Sequence, residues 1–278
     1  MKTNLKLITT LLLTIAVSFA CNRDDEEATM ELTTEQEVEV VENNTTTESF
    51  ADEDVDITST VEAEINSQQR SASAVCAEVT WNAEAKILTI DFGDGCVGPY
   101  GRERSGIIYV AYSNEPDGLR SDKEITFENY FVNNRQITGA ISVRKLNMNN
   151  EGNYESVYTL IDYTVTFPNE QSFTLNGGRT REIIQGIDDG KGLMIEITGS
   201  LTGEDTRGRT FSSEVTDPII ADFACAANGG FVRTQGRKEI IYTGLRNNRE
   251  RIVEYGDGTC DNTIRVTING NTYTITGS

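Results

Sequence analysis

Histidine is absent from this 278-residue chain, and its absence excludes several classes of catalytic site. The chain cannot form Ser-His-Asp or Cys-His triads, histidine-ligated zinc hydrolase sites or histidine acid–base pairs. Proline is scarce, with four residues, and there is one tryptophan. The catalytic chemistry left open is that of paired carboxylates, as in glycoside hydrolases.

No cluster of basic residues offsets the net charge of −20, so nucleic acid is excluded as a partner. The acidity is concentrated between Asn22 and Arg70, where sixteen Asp and Glu residues accompany two arginines. This stretch is almost free of aromatic residues and has no sustained apolar periodicity. Because it cannot bury enough apolar surface to offset the entropy of ordering, we predict that residues 21–70 form an acidic disordered tether.

Long hydrophobic runs are missing except near the N-terminus, where residues 7–20 are mostly apolar behind Lys2 and Lys6. Roughly 14 residues are too few to span a bilayer of about 30 Å, so residues 1–20 are predicted to be an export signal peptide. The sequence Ser18-Phe19-Ala20-Cys21 resembles the end of a bacterial lipoprotein signal. The resemblance implies that Cys21 is acylated and anchors the protein in a membrane. The alternative is a plain secretory signal, cleaved after Ala20 without a lipid.

The acid-rich stretch Asn22–Glu27 directly follows Cys21. It resembles the export tract that sends lipoproteins of the phylum Bacteroidota to the outer face of the outer membrane. The resemblance implies a lipid-anchored outer-membrane protein that faces the cell exterior. The alternative is that this stretch is simply the beginning of the acidic segment.

The four remaining cysteines form two pairs that are local in sequence, Cys76 with Cys96 and Cys225 with Cys260. In an oxidising compartment we expect both pairs to be disulfides, each contributing about 3 kcal/mol by restricting the unfolded chain. A zinc site is the competing interpretation, but the chain has no histidine and no Cys-x-x-Cys motif.

From Ser71 onward the composition is that of β-structure, rich in Ile, Val, Thr, Tyr and Phe. Apolar residues alternate with polar ones, as in half-buried strands, and no amphipathic helix is indicated. The alternating stretches are Leu88–Phe92, Ile108–Tyr112, Ile125–Phe131, Ile161–Phe167, Leu193–Ile197, Ile264–Ile268 and Tyr273–Ile275. We predict that residues 71–278 form an all-β antiparallel domain, either a β-sandwich or a long curved sheet, with a possible sub-boundary near residue 220.

Two segments repeat the order aromatic residue, Gly-Asp-Gly and cysteine: Phe92 to Cys96 and Tyr255 to Cys260. Each follows an earlier cysteine, which predicts two disulfide-closed units with a glycine turn; we expect the longer second unit to contain an extra hairpin at residues 237–251. The stretch Asp91–Gly95 resembles the turn of PKD-type β-sandwich modules, which are extracellular adhesion or spacer domains. The stretch Glu254–Gly270 resembles the C-terminal end of uncharacterised Bacteroidota surface lipoproteins, a family that offers no activity to transfer.

The acids near these turns are the candidate site residues. Oxygen ligands there could accept calcium, with capping of the turns as the alternative. They are Asp91, Asp94, Glu254, Asp257 and Asp261. We expect no catalytic residues and no cofactor, with calcium as the alternative. Of the aromatic residues that could contact sugar, Trp81 is expected to cover the core or a disulfide, whereas Tyr100 is better placed for exposure.

These observations predict a non-enzymatic binding or envelope-associated role with a protein or glycan ligand. The alternatives are a carboxylate-based carbohydrate-active hydrolase and a calcium-stabilised adhesion module.

Overall fold

The acidic segment after the N-terminal region folds as a helix of 33 residues, α1 (Thr34–Asn66). The computed structural model describes residues 32–66, 75–98, 101–113, 122–186, 192–226, 232–243, 250–261 and 263–276. The helix begins with a reciprocal cap, in which Thr33 N donates to Gln36 Oε1 at 2.9 Å and Gln36 N donates to Thr33 Oγ1 at 3.4 Å. This exchange satisfies two backbone donors that a helix N-terminus leaves free.

The prediction of a disordered tether is therefore wrong for residues 34–66, and Leu32 and Thr33 lead directly into the helix. The rest of the predicted tether, residues 21–31 and 67–70, lies outside the described part of the chain. Most of α1 between Asn44 and Glu62 is buried, including Phe50, Val55 and Ile57. Those side chains pack into the same core as the apolar residues of the sheet. The prediction failed because it weighed only the apolar surface that the segment carries itself, whereas the sheet supplies the other side of the contact.

Within the described ranges, fourteen strands form one sheet, and every pairing in it is antiparallel. The strands are β1 (Glu78–Asn82), β2 (Ile87–Asp91), β3 (Cys96–Val97), β4 (Glu103–Tyr112), β5 (Lys123–Val132), β6 (Arg135–Met148), β7 (Tyr154–Thr166), β8 (Ser172–Gln185), β9 (Met194–Glu204), β10 (Thr210–Asp222), β11 (Arg233–Tyr242), β12 (Glu250–Asp257), β13 (Thr263–Ile268) and β14 (Asn271–Thr276). Neighbours in the sheet follow chain order, except that β4 pairs with both β2 and the short β3. A short helix, α2 (Phe223–Ala226), follows β10.

Of the two predicted architectures, the structure shows the long curved sheet, and the sheet is not closed. It curves around α1, whose side chains contact strands from β4 to β12. The possible sub-boundary near residue 220 is wrong, because β10 runs through it and pairs with β9 and β11. The helix and the sheet belong to one compact unit that starts at Leu32.

Curvature is introduced where bulges break the strand ladders. Gly106 of β4 has φ of 81°, and a Cβ at this position would lie 2.0 Å from the carbonyl oxygen of Asn129 on β5. Gly139 of β6 has φ of 95°, and its Cβ would lie 2.3 Å from the carbonyl oxygen of Asp162 on β7. The pairing register shifts at both places. Only glycine allows the two backbones to approach this closely.

The same bulges reverse which side chains face inward. Ile125 points into the core as predicted, but beyond Asn129 the buried residue is Tyr130. Ile161 was predicted to face the core, yet its exposed fraction is 45% and Leu160 is buried instead. The other predicted strands keep the expected alternation, and the C-terminal hairpin turns at Asn269 and Gly270, both with positive φ.

None of the helices in the described ranges is both long enough and apolar enough to cross a membrane.

Candidate functional site

The inner face of the sheet carries basic residues where a β-domain of this size would ordinarily carry aliphatic ones. We call this surface, together with the acids of α1 that it holds, the inner ionic face. Its basic residues are Arg102, Arg104, Lys123, Arg179, Arg181, Arg209, Arg233, Lys238 and Arg251. Because an unpaired buried cation is very costly, each of them requires an acidic partner. The helix α1 provides those partners, with eleven acidic residues and no basic one.

The centre of the inner ionic face is built around Glu48 and Asp52, which lie one helical turn apart. Arg233 of β11 contacts both carboxylates, at 2.7 Å from Glu48 and 2.5 Å from Asp52. Lys238 of the same strand lies 2.9 Å from Glu48, and Arg179 of β8 lies 3.6 Å from it. Burial alone would raise the pKa of Glu48, but the three cations outweigh it and hold the pKa well below its ordinary value.

The next acids along α1 meet β4, β5 and β7. Arg104 lies 2.6 Å from Glu53 and 3.1 Å from Asp54. Asp54 also accepts hydrogen bonds from the hydroxyls of Tyr130 and Tyr163, both at 2.8 Å. Burial raises the pKa of Asp54 to about 6, although the arginine and the two hydroxyls act in the opposite direction.

The two ends of α1 are fixed by further pairs. Glu37 lies 2.8 Å from both Arg209 and Arg251. Burial would raise the pKa of Glu37, but the hydrogen bonds from the two arginines outweigh it, so that the pKa is lowered. Near the C-terminal end, Lys123 lies 2.6 Å from Glu62. From Glu37 to Glu62 the helix rises about 37 Å, at about 1.5 Å per residue, so the ion pairs extend along most of its length.

Some donors of the inner face remain without a hydrogen-bond partner. They include Arg104 Nε, Arg181 Nε and the hydroxyl of Tyr242, and all three residues are at most 5% exposed. The carboxylates of α1 therefore do not saturate the hydrogen-bonding capacity of the face.

Both predicted disulfides are present, Cys76–Cys96 and Cys225–Cys260, with Cα atoms 6.1 and 5.4 Å apart. Each pair encloses one hairpin, β1–β2 in the first unit and β11–β12 in the second. The hairpin expected at residues 237–251 is present as the turn region of β11 and β12, but it is the one hairpin of its unit and not an additional one. Longer strands account for about half of the greater cysteine separation. Cys21 lies outside the described residues, so its lipidation stays a prediction.

The first glycine turn holds two of the candidate calcium ligands. Asp91 Oδ1 accepts a hydrogen bond from Gly93 N at 2.8 Å, and Asp94 is exposed at the tip of the turn. Gly93 and Gly95 both have positive φ, as the predicted turn requires. The first of these acids thus caps the backbone.

In the second glycine turn, too, acidic side chains accept hydrogen bonds from backbone N–H groups. Asp257 Oδ1 accepts from Thr259 N at 3.2 Å, and Asp261 Oδ1 accepts from Thr263 N at 3.0 Å. Glu254 pairs with an arginine of β13 at 3.7 Å. Capping, the alternative weighed against calcium, therefore accounts for Asp257 and Asp261. The two turns lie near opposite ends of the strand order, at β2 and at β12.

In the described part of the chain, one group of three metal-ligating side chains comes together, Asp222 with Cys225 and Cys260. Its two sulfur atoms form a disulfide, and Asp222 accepts a hydrogen bond from Ala224 N at 2.9 Å. These atoms are already committed to structural bonds, and a disulfide does not supply the thiolate ligands that zinc binds.

Of the two aromatic candidates for contact with sugar, Trp81 is half-buried and makes an edge contact with Tyr112, with ring centroids 5.7 Å apart. It packs against the core, as expected. Tyr100 lies outside the described residues.

A hollow of about 540 Å³ lies on β8, β9 and β10, and we call it the outer hollow. Its lining combines hydroxyl, amide and carboxylate groups with apolar surface, including the ring of Phe211, which belongs to the core. The side chains of Thr174, Asn176, Thr202 and Glu204 lie on the face opposite to the buried Phe173, Leu175 and Leu201. The residues are Thr174, Asn176, Thr202, Gly203, Glu204, Thr210, Phe211, Ser212 and Thr243. The strand pairing places Thr174 beside Glu204 and Asn176 beside Thr202, which fixes the spacing of these groups.

Comparison with known protein families, with curated protein sequences and with solved structures finds no match to this chain.

The inner ionic face was not predicted from the sequence, although a signal for it exists. In β12, Arg251 shares a face with Val253 and Tyr255, and in β11, Lys238 shares a face with Ile240. A basic residue on the apolar side of several strands indicates that an acidic partner lies inside the fold.

Proposed function

We propose that this protein is an exported, lipid-anchored binding module of the outer membrane, without enzymatic activity, and that its ligand is a glycan. The signal-like N-terminus and Cys21 support the anchor, and the two disulfides are consistent with an oxidising compartment. Under this proposal the sheet acts as a rigid carrier that displays its outer face.

The outer hollow is the observation that carries the choice of ligand. It presents several hydroxyls and the carboxylate of Glu204 on neighbouring strands, together with the amide of Asn176, which also exchanges hydrogen bonds with Asp162. Such groups can donate to and accept from the hydroxyls of a sugar, and because the strands fix the backbone, binding has to order only the side chains.

The alternative of carboxylate-based hydrolysis finds less support. Asp52 and Asp54 lie close along α1, but both are buried and paired with Arg233 and Arg104. A general acid and a nucleophile must instead reach a substrate on both sides of the scissile bond.

The ligand proposal is tested by measuring glycan binding to the soluble mature protein on an array and by calorimetry. The double substitution Asn176→Ala with Glu204→Ala should abolish binding, because it removes the amide and the carboxylate of the outer hollow. Thr267→Ala with Thr272→Ala is the matched control, since this exposed hydroxyl pair lies on β13 and β14. Absence of glycan binding by the unsubstituted protein, or equal binding by both variants, would reject the proposal.

The anchor is tested by fractionation of cells that express the Cys21→Ala chain. This variant should appear in the soluble fraction with its disulfides and fold intact, whereas the unsubstituted protein stays with the outer membrane. Continued membrane retention of the variant would contradict the lipid anchor.

A further inference from the structure

We propose that the inner face of the sheet is an acceptor site for acidic helices, and that the segment Thr34–Asn66 of a second copy can replace the chain's own α1. The consequence is that copies held on one membrane could be linked by exchange of their helices. This proposal is independent of the ligand proposed for the outer hollow.

The first argument is that the contact between α1 and the sheet is ionic. Burying ion pairs such as Arg104–Glu53 and Lys238–Glu48 removes charges from water, and well-packed apolar residues would often stabilise the same contact more. What buried ion pairs provide is selectivity, because a wrong partner leaves a charge uncompensated. The inner ionic face is thus better suited to recognition than to stability.

The second argument is that α1 depends on the sheet for its helical state. The segment is rich in Thr, Val, Asn and Asp, which are weaker helix formers, and its acidic residues are not matched by any basic one. Once outside the sheet it would lose its helical structure, so that docking and folding of this segment are the same event. Exchange of this segment therefore requires the sheet to open and to close again around the incoming helix, because the sheet without α1 is left with unpaired buried charges.

The third argument is that the sheet is not closed. In the described strands, β1 and β14 stand at the two ends of the strand order, and each pairs with a single neighbour. No residue of α1 from Asn43 to Ser59 is exposed, so the helix can leave only if the sheet opens around it. Opening between these two edges breaks no strand pairing among the described strands, whereas a closed sheet would have to lose one.

The occupant is identified by the chemistry of the face. Apolar residues such as Ile240 and Val253 share this face with Lys238 and Arg251, and α1 matches them with Phe50, Val55 and Ile57 between its acids. An acidic polysaccharide offers no aliphatic side chains for these positions. Donors of Arg104, Arg181 and Tyr242 have no hydrogen-bond partner when α1 is in place. The face therefore has hydrogen-bonding capacity beyond what its own helix satisfies.

The test uses a fluorescent synthetic peptide of residues 32–66 and the full mature chain, with binding followed by fluorescence anisotropy. The pair Lys123–Glu62 serves as a charge switch because Lys123 Nζ contacts Glu62 Oε2 and Ser59 Oγ, with no second carboxylate within ion-pair distance among the described residues. Two proteins, unsubstituted and Lys123→Glu, are each titrated with two peptides, unsubstituted and Glu62→Lys. The ratio of the two peptide affinities for one protein cancels competition from that protein's own helix.

We expect the unsubstituted protein to prefer the unsubstituted peptide by about tenfold or more, and the Lys123→Glu protein to reverse this preference. Circular dichroism checks that both proteins keep their sheet. Should Lys123→Glu fail to fold, the more exposed pair Arg207–Glu39 offers a second switch, Arg207→Glu with a Glu39→Arg peptide. Equal affinity of both peptides for both proteins, or no binding of either peptide, would overturn the proposal.

Discussion

At the scale of single residues, the inner ionic face is an arrangement in which every charge depends on its partner. Arg233 illustrates this, since it is 5% exposed and contacts Glu48, Asp52 and the hydroxyl of Tyr255. Its removal would leave carboxylates in a site from which water is largely excluded.

Arg233→Gln is therefore expected to lower the free energy of unfolding by about 3–5 kcal/mol. The matched control is Arg265→Gln, because Arg265 is 59% exposed and lies 3.7 Å from Glu254. Loss of such a surface pair should cost less than about 1 kcal/mol. Urea denaturation followed by circular dichroism measures both values, and similar costs for the two variants would contradict the role assigned to Arg233.

Asp54 gives the inner ionic face a dependence on pH. Its pKa is raised from an ordinary 3.8 to about 6, so the folded state binds a proton more readily than the unfolded state does. The stability contributed by this proton is fully present below about pH 4 and is lost as the pH rises through 6. The shift corresponds to about 3 kcal/mol as an order of magnitude.

The test measures the free energy of unfolding of the unsubstituted protein and of Asp54→Asn by urea denaturation between pH 4.5 and 8, and takes the difference between the two at each pH. Subtraction removes the acids whose pKa values are lowered, such as Glu48 and Glu37, which destabilise the fold only at lower pH. We expect the difference to change with a midpoint near pH 6. A difference independent of pH would show that Asp54 does not titrate there.

The sequence predicts the partner of a residue correctly where the two residues are close to each other along the chain. The pairings Cys76–Cys96 and Cys225–Cys260 follow from an even set of cysteines in two neighbouring pairs. The partners of Arg104 could not be found in this way, because Glu53 and Asp54 lie about fifty residues away in a segment with no β-pattern.

At the scale of elements, the alternating patterns identified most of the strands but not their bulges. A bulge inserts one residue and thereby exchanges the two faces of the strand that follows. The signals for it were present in Gly106 and Gly139, but a glycine in a strand pattern also occurs at tight bends and where a ligand approaches the backbone. The positions of Ile161 and Phe131 were for this reason assigned to the wrong face.

Gly106→Ala tests whether the bulges are required for the curvature of the sheet. The new Cβ would lie 2.0 Å from a carbonyl oxygen of β5, so the backbones would have to separate. The control is Gly152→Ala, because Gly152 has a similar φ of 87° but no atom within 4 Å of the new Cβ. The control should cost about 1–2 kcal/mol for its backbone conformation, and Gly106→Ala should cost clearly more. Equal thermal shifts in calorimetry would contradict a steric role for the bulge.

At the scale of the whole molecule, the fold joins two segments that neither composition nor periodicity connects. The sheet alone would expose a face of buried arginines and lysines, and α1 alone lacks both helix propensity and an apolar stripe. Each segment supplies what the other needs, so the two must form together. Rules that assess a segment by its own composition predict the β-domain correctly, because its strands carry their own alternating pattern. The same rules miss α1, because the partners that stabilise this helix lie on the strands.

This dependence predicts that the isolated peptide of residues 32–66 is mostly unstructured in buffer, although the same residues are helical within the protein. Far-UV circular dichroism of the peptide measures its helical content. A control peptide in which Thr45, Thr46 and Thr47 are replaced by alanine should show more helix, because alanine removes about 0.5 kcal/mol of cost at each position. A strongly helical unsubstituted peptide would mean that α1 forms before the sheet and that its acids are not what holds it in the helical state. A coil that becomes helical only inside the sheet would identify the ion pairs and apolar contacts of the inner face as the cause of its folding.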